Sequence, residues 1–256
     1  FFRTAPSDAR GGQILADITK DRGVNSVAVT YTNNDYGKGL ADVYAAACKA
    51  HGIDVTIVAA HEDGKADYSS EVATLASAGG DAVAVIGYLD QGGKGIIQGS
   101  LDSGAFDTFI LSDGMIGDSL TDAFGKSLNK SFGSLPGSTG KGAGVFATVA
   151  GDAGIDPSGP YTGESYDAAA LIVLAMQASG SADRKGIADN VMAVANGPGK
   201  KIYPGQLKKA LDLLAKGKAV DYEGATGVNF TDVGEAEGSF LEKEIKGGKF
   251  KTKKQR

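Results

Sequence analysis

The sequence predicts an α/β fold in which a doubly wound, mainly parallel sheet is covered by helices on both faces. Three observations lead there. Four short stretches, VNSVAVTY (24–31), IDVTIVAA (53–60), DAVAVIGY (81–88) and TFILS (108–112), are apolar along nearly their whole length, as strands buried on both faces are. Segments with apolar residues at helical spacing separate them, the alternation that right-handed parallel crossovers require. Glycine closes most of these segments, and 39 glycines against 6 prolines fit short elements joined by tight turns.

The elements are justified in order. Ser7 to Arg22 is expected as a helix, with Ile14, Leu15 and Ile18 on one face and Gly23 as its stop. After the first strand, KGLADVYAAACKAH (38–51) sets Leu40, Val43, Tyr44 and Ala47 on one helical face and ends at Gly52. After the second, Asp67 is expected to cap a helix that carries Val72 and Leu75 and ends at Gly79-Gly80. The third strand leads into a helix reaching about Ser103, and 108–112 is the fourth strand. SFGSLPGSTGKGAG (131–144), rich in Gly, Ser and Pro, reads as a crossing between two units. Three helices are expected beyond it. Tyr166 to Ala178 is apolar nearly all round and so deeply buried; Ile187, Val191 and Val194 mark the next; PGQLKKALDLLAKG (204–217) has Pro204 at a first-turn position and Leu207, Leu211 and Leu214 as its stripe. GVNFTDVGEAEGSFLEKEI reads as two strands around a loop. These pieces make no independent sheet, so the second half is expected to belong to a lobe whose main strands lie elsewhere.

At 256 residues the chain is long enough for one large domain or two smaller lobes, and 42% hydrophobic content supports a real core. The net charge of −5 argues against a nucleic-acid groove, because phosphate binding rests on clustered Lys and Arg. The one basic run, KGGKFKTKKQR at the C-terminus, is expected as a solvated tail. Cys48 is the single cysteine, which excludes an internal disulfide; it falls on the apolar side of its helix and is expected to be a small buried side chain. No apolar run approaches the ~20 residues that span a bilayer. No secretion leader is visible, which leaves a cytosolic, a processed or a trimmed protein open.

Ligands of open parallel sheets bind outside the carboxyl ends of the strands, so the loops there hold the candidate residues. The first carries Asn33, Asn34, Asp35 and Tyr36; the second is HEDGKADYS; the third carries Tyr88, Asp90 and Gln91; the fourth carries Ser112, Asp113 and Gly114. A carboxylate, two phenols and small polar groups suit a small zwitterion or amine. Each residue also has a purely structural use: Tyr36 can anchor its own turn, and Asp113 before Gly114 can be a turn residue. DYGKGL lacks the spacing of a phosphate loop. His51 and His61, the only histidines, have no Cys or His at ligand spacing, so neither metal nor cofactor is expected.

Gly117-Asp118-Ser119-Leu120 resembles the nucleophile block of GDSL esterases, whose serine takes its base from a downstream histidine. Here no histidine follows residue 61, and a serine nucleophile needs such a base. The expected role of Asp118 or Ser119 is instead to cap the helix SLTDAFGKSL.

FFRTAPSDARGGQILADI, VAVTYTNNDYGKGLAD, DYSSEVATLASAGGDAVAVIGY and DPSGPYTGESYDAAALIVLAMQASGS together resemble type I periplasmic solute-binding proteins, in particular the leucine/isoleucine/valine-binding type that feeds ABC transporters. YEGATGVNFTDVGEAEG resembles that family's late strand-loop segment. The resemblance implies two α/β lobes joined by three crossings. On that scheme residues 4–132 with 236–256 form the second lobe and 138–230 a returning part of the first. Residues 1–3, 133–137 and 231–235 lie near the crossings, and the opening part of the first lobe is missing. It implies no enzyme and no cofactor. It implies instead a periplasmic or otherwise extracytoplasmic protein that captures an amino acid, branched-chain or related, between its lobes and delivers it to a membrane permease; a ligand-sensing receptor domain of the same fold is the alternative. Ligand contacts carry over to Tyr36, Tyr88 and Asp113, with Asp118, Ser112 and Gln91 as further candidates. Asp113 is expected to pair with the ligand's α-ammonium, while the groups that hold the α-carboxylate are expected in the missing first-lobe segment. The identity of the solute and the oligomeric state are not fixed by these residues.

Overall fold

The computed structural model describes residues 1–256 and divides into two compact units. One comprises residues 8–135, 240–254 and 256; the other comprises 1–7, 136–239 and 255.

The first of these is an α/β unit around a seven-stranded sheet. Its strands are β1 (Ser26–Thr32), β2 (Asp54–His61), β3 (Ala82–Ile86), β4 (Phe109–Leu111), β5 (Phe132–Pro136), β8 (Phe240–Ile245) and β9 (Phe250–Gln255); between β5 and β8 the chain forms β6 (Lys200–Ile202) and β7 (Val220–Tyr222) in the other unit. The sheet order is β2-β1-β3-β4-β5-β8-β9, and the pairs from β2 through β5 are parallel. Alternation along the strands supplies two cores. Val27, Val29, Ala82, Ala84, Ile86 and Ile110 face the helices α1 (Asp8–Asp21) and α2 (Asp35–Ala50), meeting Ile14, Leu15, Ile18, Leu40, Tyr44 and Cys48. Ala28, Val83, Val85, Phe109 and Leu111 face the other way, against Leu75 of α3 (Ser69–Ala78), Ile96 and Ile97 of α4 (Lys94–Ser103) and Leu120 of α5 (Asp118–Phe124). The doubly wound sheet predicted from the continuous apolar strands is therefore present.

Three expectations for this unit are corrected. Residues 132–136, read as part of a crossing, form β5, which is buried throughout. Gly133 is needed there: a Cβ on it would stand 2.2 Å from the Leu111 carbonyl oxygen of the neighbouring strand. The basic C-terminus, expected as a solvated tail, forms β9 at the sheet edge; Lys251 to Gln255 are all exposed, and only Phe250 is partly buried. Asp118 and Ser119 do not cap α5. Gly117 occupies the N-cap position, and Asp118 is the first helical residue.

The other unit packs α6 (Lys141–Asp152), α7 (Thr162–Ser179), α8 (Arg184–Ala195) and α9 (Leu207–Leu214) with the parallel pair β6–β7. Leu171, Leu174, Val191, Val194, Ile202, Val220, Tyr222 and Phe230 form its core. α6 and the two short strands went unpredicted, since KGAGVFATVAGD has three glycines and the strands are three residues each. α7 is not buried all round: Ile172 is 47% exposed and Val173 37%. Pro204 lies in the turn before α9 rather than in its first turn. Residues 1–7 belong to this unit, where Arg3 bridges to Glu235 and its Nε donates to that carboxylate at 3.0 Å.

Candidate functional site

The carboxyl ends of β1, β3 and β4 bring four of the six candidate residues together within the seven-stranded unit. After β1 the chain turns at once into α2, with Asn34 as N-cap; its Oδ1 accepts from the Gly37 N–H at 2.9 Å. Gly37 permits this tight entry, because a Cβ there would lie 2.1 Å from the Thr32 carbonyl oxygen. Tyr36 is thereby held in the first turn of α2, half-buried.

Its hydroxyl donates to Asp113 Oδ1 at 2.8 Å, and the same oxygen stands 3.1 Å from Ser112 Oγ. A phenol has one proton, and an ionised carboxylate can only accept, so the Ser112 hydroxyl is left to direct its own proton to the tyrosine oxygen. Ser112 Oγ in turn accepts from the Gly87 N–H at 3.3 Å, which ties the end of β4 to the end of β3. Asp113 to Met115 form a single 3-10 turn that presses on Gly87-Tyr88. A Cβ on Gly114 would meet the Gly87 carbonyl oxygen at 2.3 Å, and one on Gly93 would meet Met115 Sδ at 2.1 Å. The Tyr88 ring lies against that of Tyr36, centroids 5.4 Å apart and planes tilted by 31°.

Two phenol rings beside a half-buried carboxylate can receive a small cation: the carboxylate by charge and hydrogen bond, the rings by their negative faces. The other two candidates stand differently. Gln91 is exposed within a π-helical turn (Leu89–Gly93), its carbonyl accepting from the Tyr68 hydroxyl at 2.8 Å. Asp118 is exposed at the start of α5. Ser119 is exposed beside it, and neither histidine is bonded to it: His51 Nε2 lies 2.6 Å from Asp17 Oδ1, and His61 Nδ1 lies 2.9 Å from Thr30 Oγ1. The close packing of Gly87 and Gly93 with the Gly114 turn was not readable from sequence; only their neighbours in space reveal it.

The profile of the periplasmic binding protein family matches residues 1–233. This chain belongs to that family. The resemblance carried by its sequence motifs is thus shown, and family and fold are those of substrate-binding proteins rather than enzymes. The binding protein is 28% identical over 228 residues to the chemotactic signal transduction system substrate-binding protein BasB of Halobacterium salinarum, covering 88% of this chain and 53% of that one. It is 30% identical over 194 residues to the Leu/Ile/Val-binding protein homolog 1 of Brucella melitensis, covering 73% and 51%. Its fold matches that of the leucine binding protein LivK from Thermotoga maritima with a TM-score of 0.78 at 20% identity, over 99% of this chain and 67% of that one. The binding protein therefore spans about half the length of the curated relatives it matches. None of its helices is long and apolar enough to cross a membrane.

Proposed function

We propose that this binding protein captures a small amino acid, branched-chain or related, outside the cytoplasm and hands it to the permease of an ABC transporter. In this reading Asp113 takes the α-ammonium, and Tyr36 and Tyr88 wall the pocket. Ser112 holds the tyrosine hydroxyl in place, while Gln91 and Asp118 lie at the rim. The residues 4–132 with 236–256 would be the second lobe and 138–230 a returning part of the first; the grip on the α-carboxylate falls to the additional length that its relatives have. The observation that carries the reading is the 2.8 Å bond from Tyr36 to Asp113 beside the Tyr36–Tyr88 ring contact, at the strand ends where such sheets bind ligands. Support comes from relatives named as Leu/Ile/Val-binding proteins and from a fold neighbour named as a leucine binding protein.

Calorimetric titration with L-leucine, L-isoleucine and L-valine, then with other amino acids, tests it. Asp113→Asn should weaken binding at least about tenfold, since truncating one partner of a desolvated charge pair costs on the order of 2–5 kcal/mol. Unchanged affinity would remove Asp113 from the site.

A second reading has one observation in its favour, the relative named as a substrate-binding protein of a chemotactic signalling system. There the same capture would feed a signalling receptor. Crosslinking the ligand-loaded protein in membranes of its own organism, and identifying the partner as permease or receptor, separates the two.

A further inference from the structure

The loop that carries Tyr88 is seated on a buried histidine. His61 ends β2 and is 1% exposed. Its Nδ1 lies 2.9 Å from Thr30 Oγ1, whereas its Nε2 is buried with no hydrogen-bond partner. That side of the ring is covered by the two glycines that bracket the loop. A Cβ on Gly87 would stand 3.2 Å from Nε2, and one on Gly92 would stand 3.1 Å from Cδ2. Tyr68 meets the ring edge-on at 6.2 Å and holds the same loop by donating to the Gln91 carbonyl.

We propose that His61 is a positioning residue for Tyr88, seating the Gly87–Gly92 loop only while its imidazole is neutral. A neutral ring leaves one nitrogen unsatisfied, which costs desolvation of a single polar atom. A second ring proton would bury a full charge against two glycine backbones, which is far more costly without a partner. Burial accordingly pushes the His61 pKa down, and the carboxylates of Asp63, Glu71 and Glu62 offset this only in part. The groups on the surrounding elements are mostly engaged elsewhere. β1 offers the hydroxyls of Thr30 and Thr32; α3 and the turn before it offer Tyr68 and Glu71, the latter paired with Lys65; the loop itself offers Asp90, paired with Lys94. Asp63 is the available acceptor, because its Oδ1 is itself buried without a partner. On acidification the charged ring turns toward Asp63, the loop loses its seat, and Tyr88 withdraws from Tyr36. The consequence for ligand, release in acid, rests on the function proposed above; the device itself does not.

The chain has two histidines, so the test is compact. Fluorotyrosine-labelled protein is followed by fluorine NMR between about pH 5 and 7.5, where histidine titrates, the Tyr88 signal being assigned with Tyr88→Phe. The two imidazole Cε1–H signals are followed in the same samples. The Tyr88 signal should shift with the midpoint of His61, below the ordinary histidine value. His51→Gln should leave that shift intact, and His61→Gln should abolish it. A Tyr88 signal that stays still while His61 titrates overturns the proposal, as does an unchanged shift in His61→Gln. Should that variant not fold, the comparison of midpoints in the unaltered chain decides alone. None of these readouts involves ligand, so failure here is distinct from failure of the amino-acid site.

Discussion

The Tyr222 hydroxyl donates to Asp167 Oδ1 across 2.9 Å, deep in the helical unit. The same carboxylate accepts from the backbone N–H groups of Ala225 at 2.7 Å and Thr226 at 2.9 Å, and from the Thr226 hydroxyl at 2.7 Å. One side chain of α7 thus fixes the loop after β7. Asp167→Ala would strand four donors, each unsatisfied buried group costing about 1–3 kcal/mol. The expected loss is at least about 3 kcal/mol, read as a lowered urea midpoint. Asp167→Asn, which keeps one acceptor oxygen, should lose less.

Glu242 gives the seven-stranded unit an acid-sensitive anchor. It is buried, and Arg22 Nη2 and Arg256 Nη2 reach it at 2.7 and 2.6 Å. Burial pushes its carboxyl up, but the hydrogen bonds from Arg256 and Arg22 outweigh that and hold it low. A carboxyl held low adds stability above its unfolded value, about 4.3, and loses it as pH falls through the folded value. Unfolding free energy should therefore drop below about pH 4.3. Glu242→Gln should be less stable at pH 7 and show a shallower acid limb; parallel pH profiles would contradict this.

Gly37→Ala tests how Tyr36 is delivered. The new methyl would sit 2.1 Å from the Thr32 carbonyl oxygen, so backbone must move. Overpacking of this kind costs typically about 1–3 kcal/mol. Thermal unfolding should report the loss, and affinity for the proposed amino-acid ligand should fall with it. Gly39→Ala, two residues along with open space around its Cβ position, is the control: it should not lower stability, since Ala favours a helix over Gly, and should leave affinity unchanged.

Tyr36→Phe keeps the ring and removes the bond to Asp113. A hydrogen bond to a charged group contributes about 1.5–3 kcal/mol to the fold; with Asp113 no longer held by it, affinity for the proposed ligand should fall by calorimetry. The bond exists in the protein before any ligand arrives, so urea unfolding should also report a loss, at the low end of that range because the residue is half-buried.

Cys48 should be silent in the native protein. It is fully enclosed beside Tyr44, and burial pushes its thiol up to about 11. An aromatic disulfide reagent should label it only at the rate at which the unit opens, rising to stoichiometric reaction in denaturant. Rapid native labelling would show that α2 moves away from the sheet.

Much of this was legible in the residues because burial on both faces leaves a direct trace. Runs such as AVAVI admit little else, and the turns after them could be located by glycine and polar clusters; that made Tyr36, Tyr88 and Asp113 candidates, and the family resemblance singled them out. The misreadings share a cause. FGSLP looks like a linker because Gly133 is small for a reason held in Leu111, on another strand. FKTKKQ looks like a tail because an edge strand buries so little that its apolar pattern fades. ALIVLA looks fully buried because hydrophobicity does not say which neighbours are present. His61 gave no signal at all, since its meaning lies in two glycines about thirty residues away that the sheet brings back to it.

The position of β9 has a consequence for crowded solutions. A terminal strand offers backbone groups to any passing strand, the usual start of edge-to-edge polymerisation. Lys251, Lys253 and Lys254 stand on that strand, exposed to water, Lys253 within 3.8 Å of Glu242 and Lys254 within 3.9 Å of Asp21. A second copy approaching through its own β9 would bring lysine against lysine and disturb those pairs before an inter-chain ladder bond could form, so this edge should resist pairing with its own kind where a neutral strand would not.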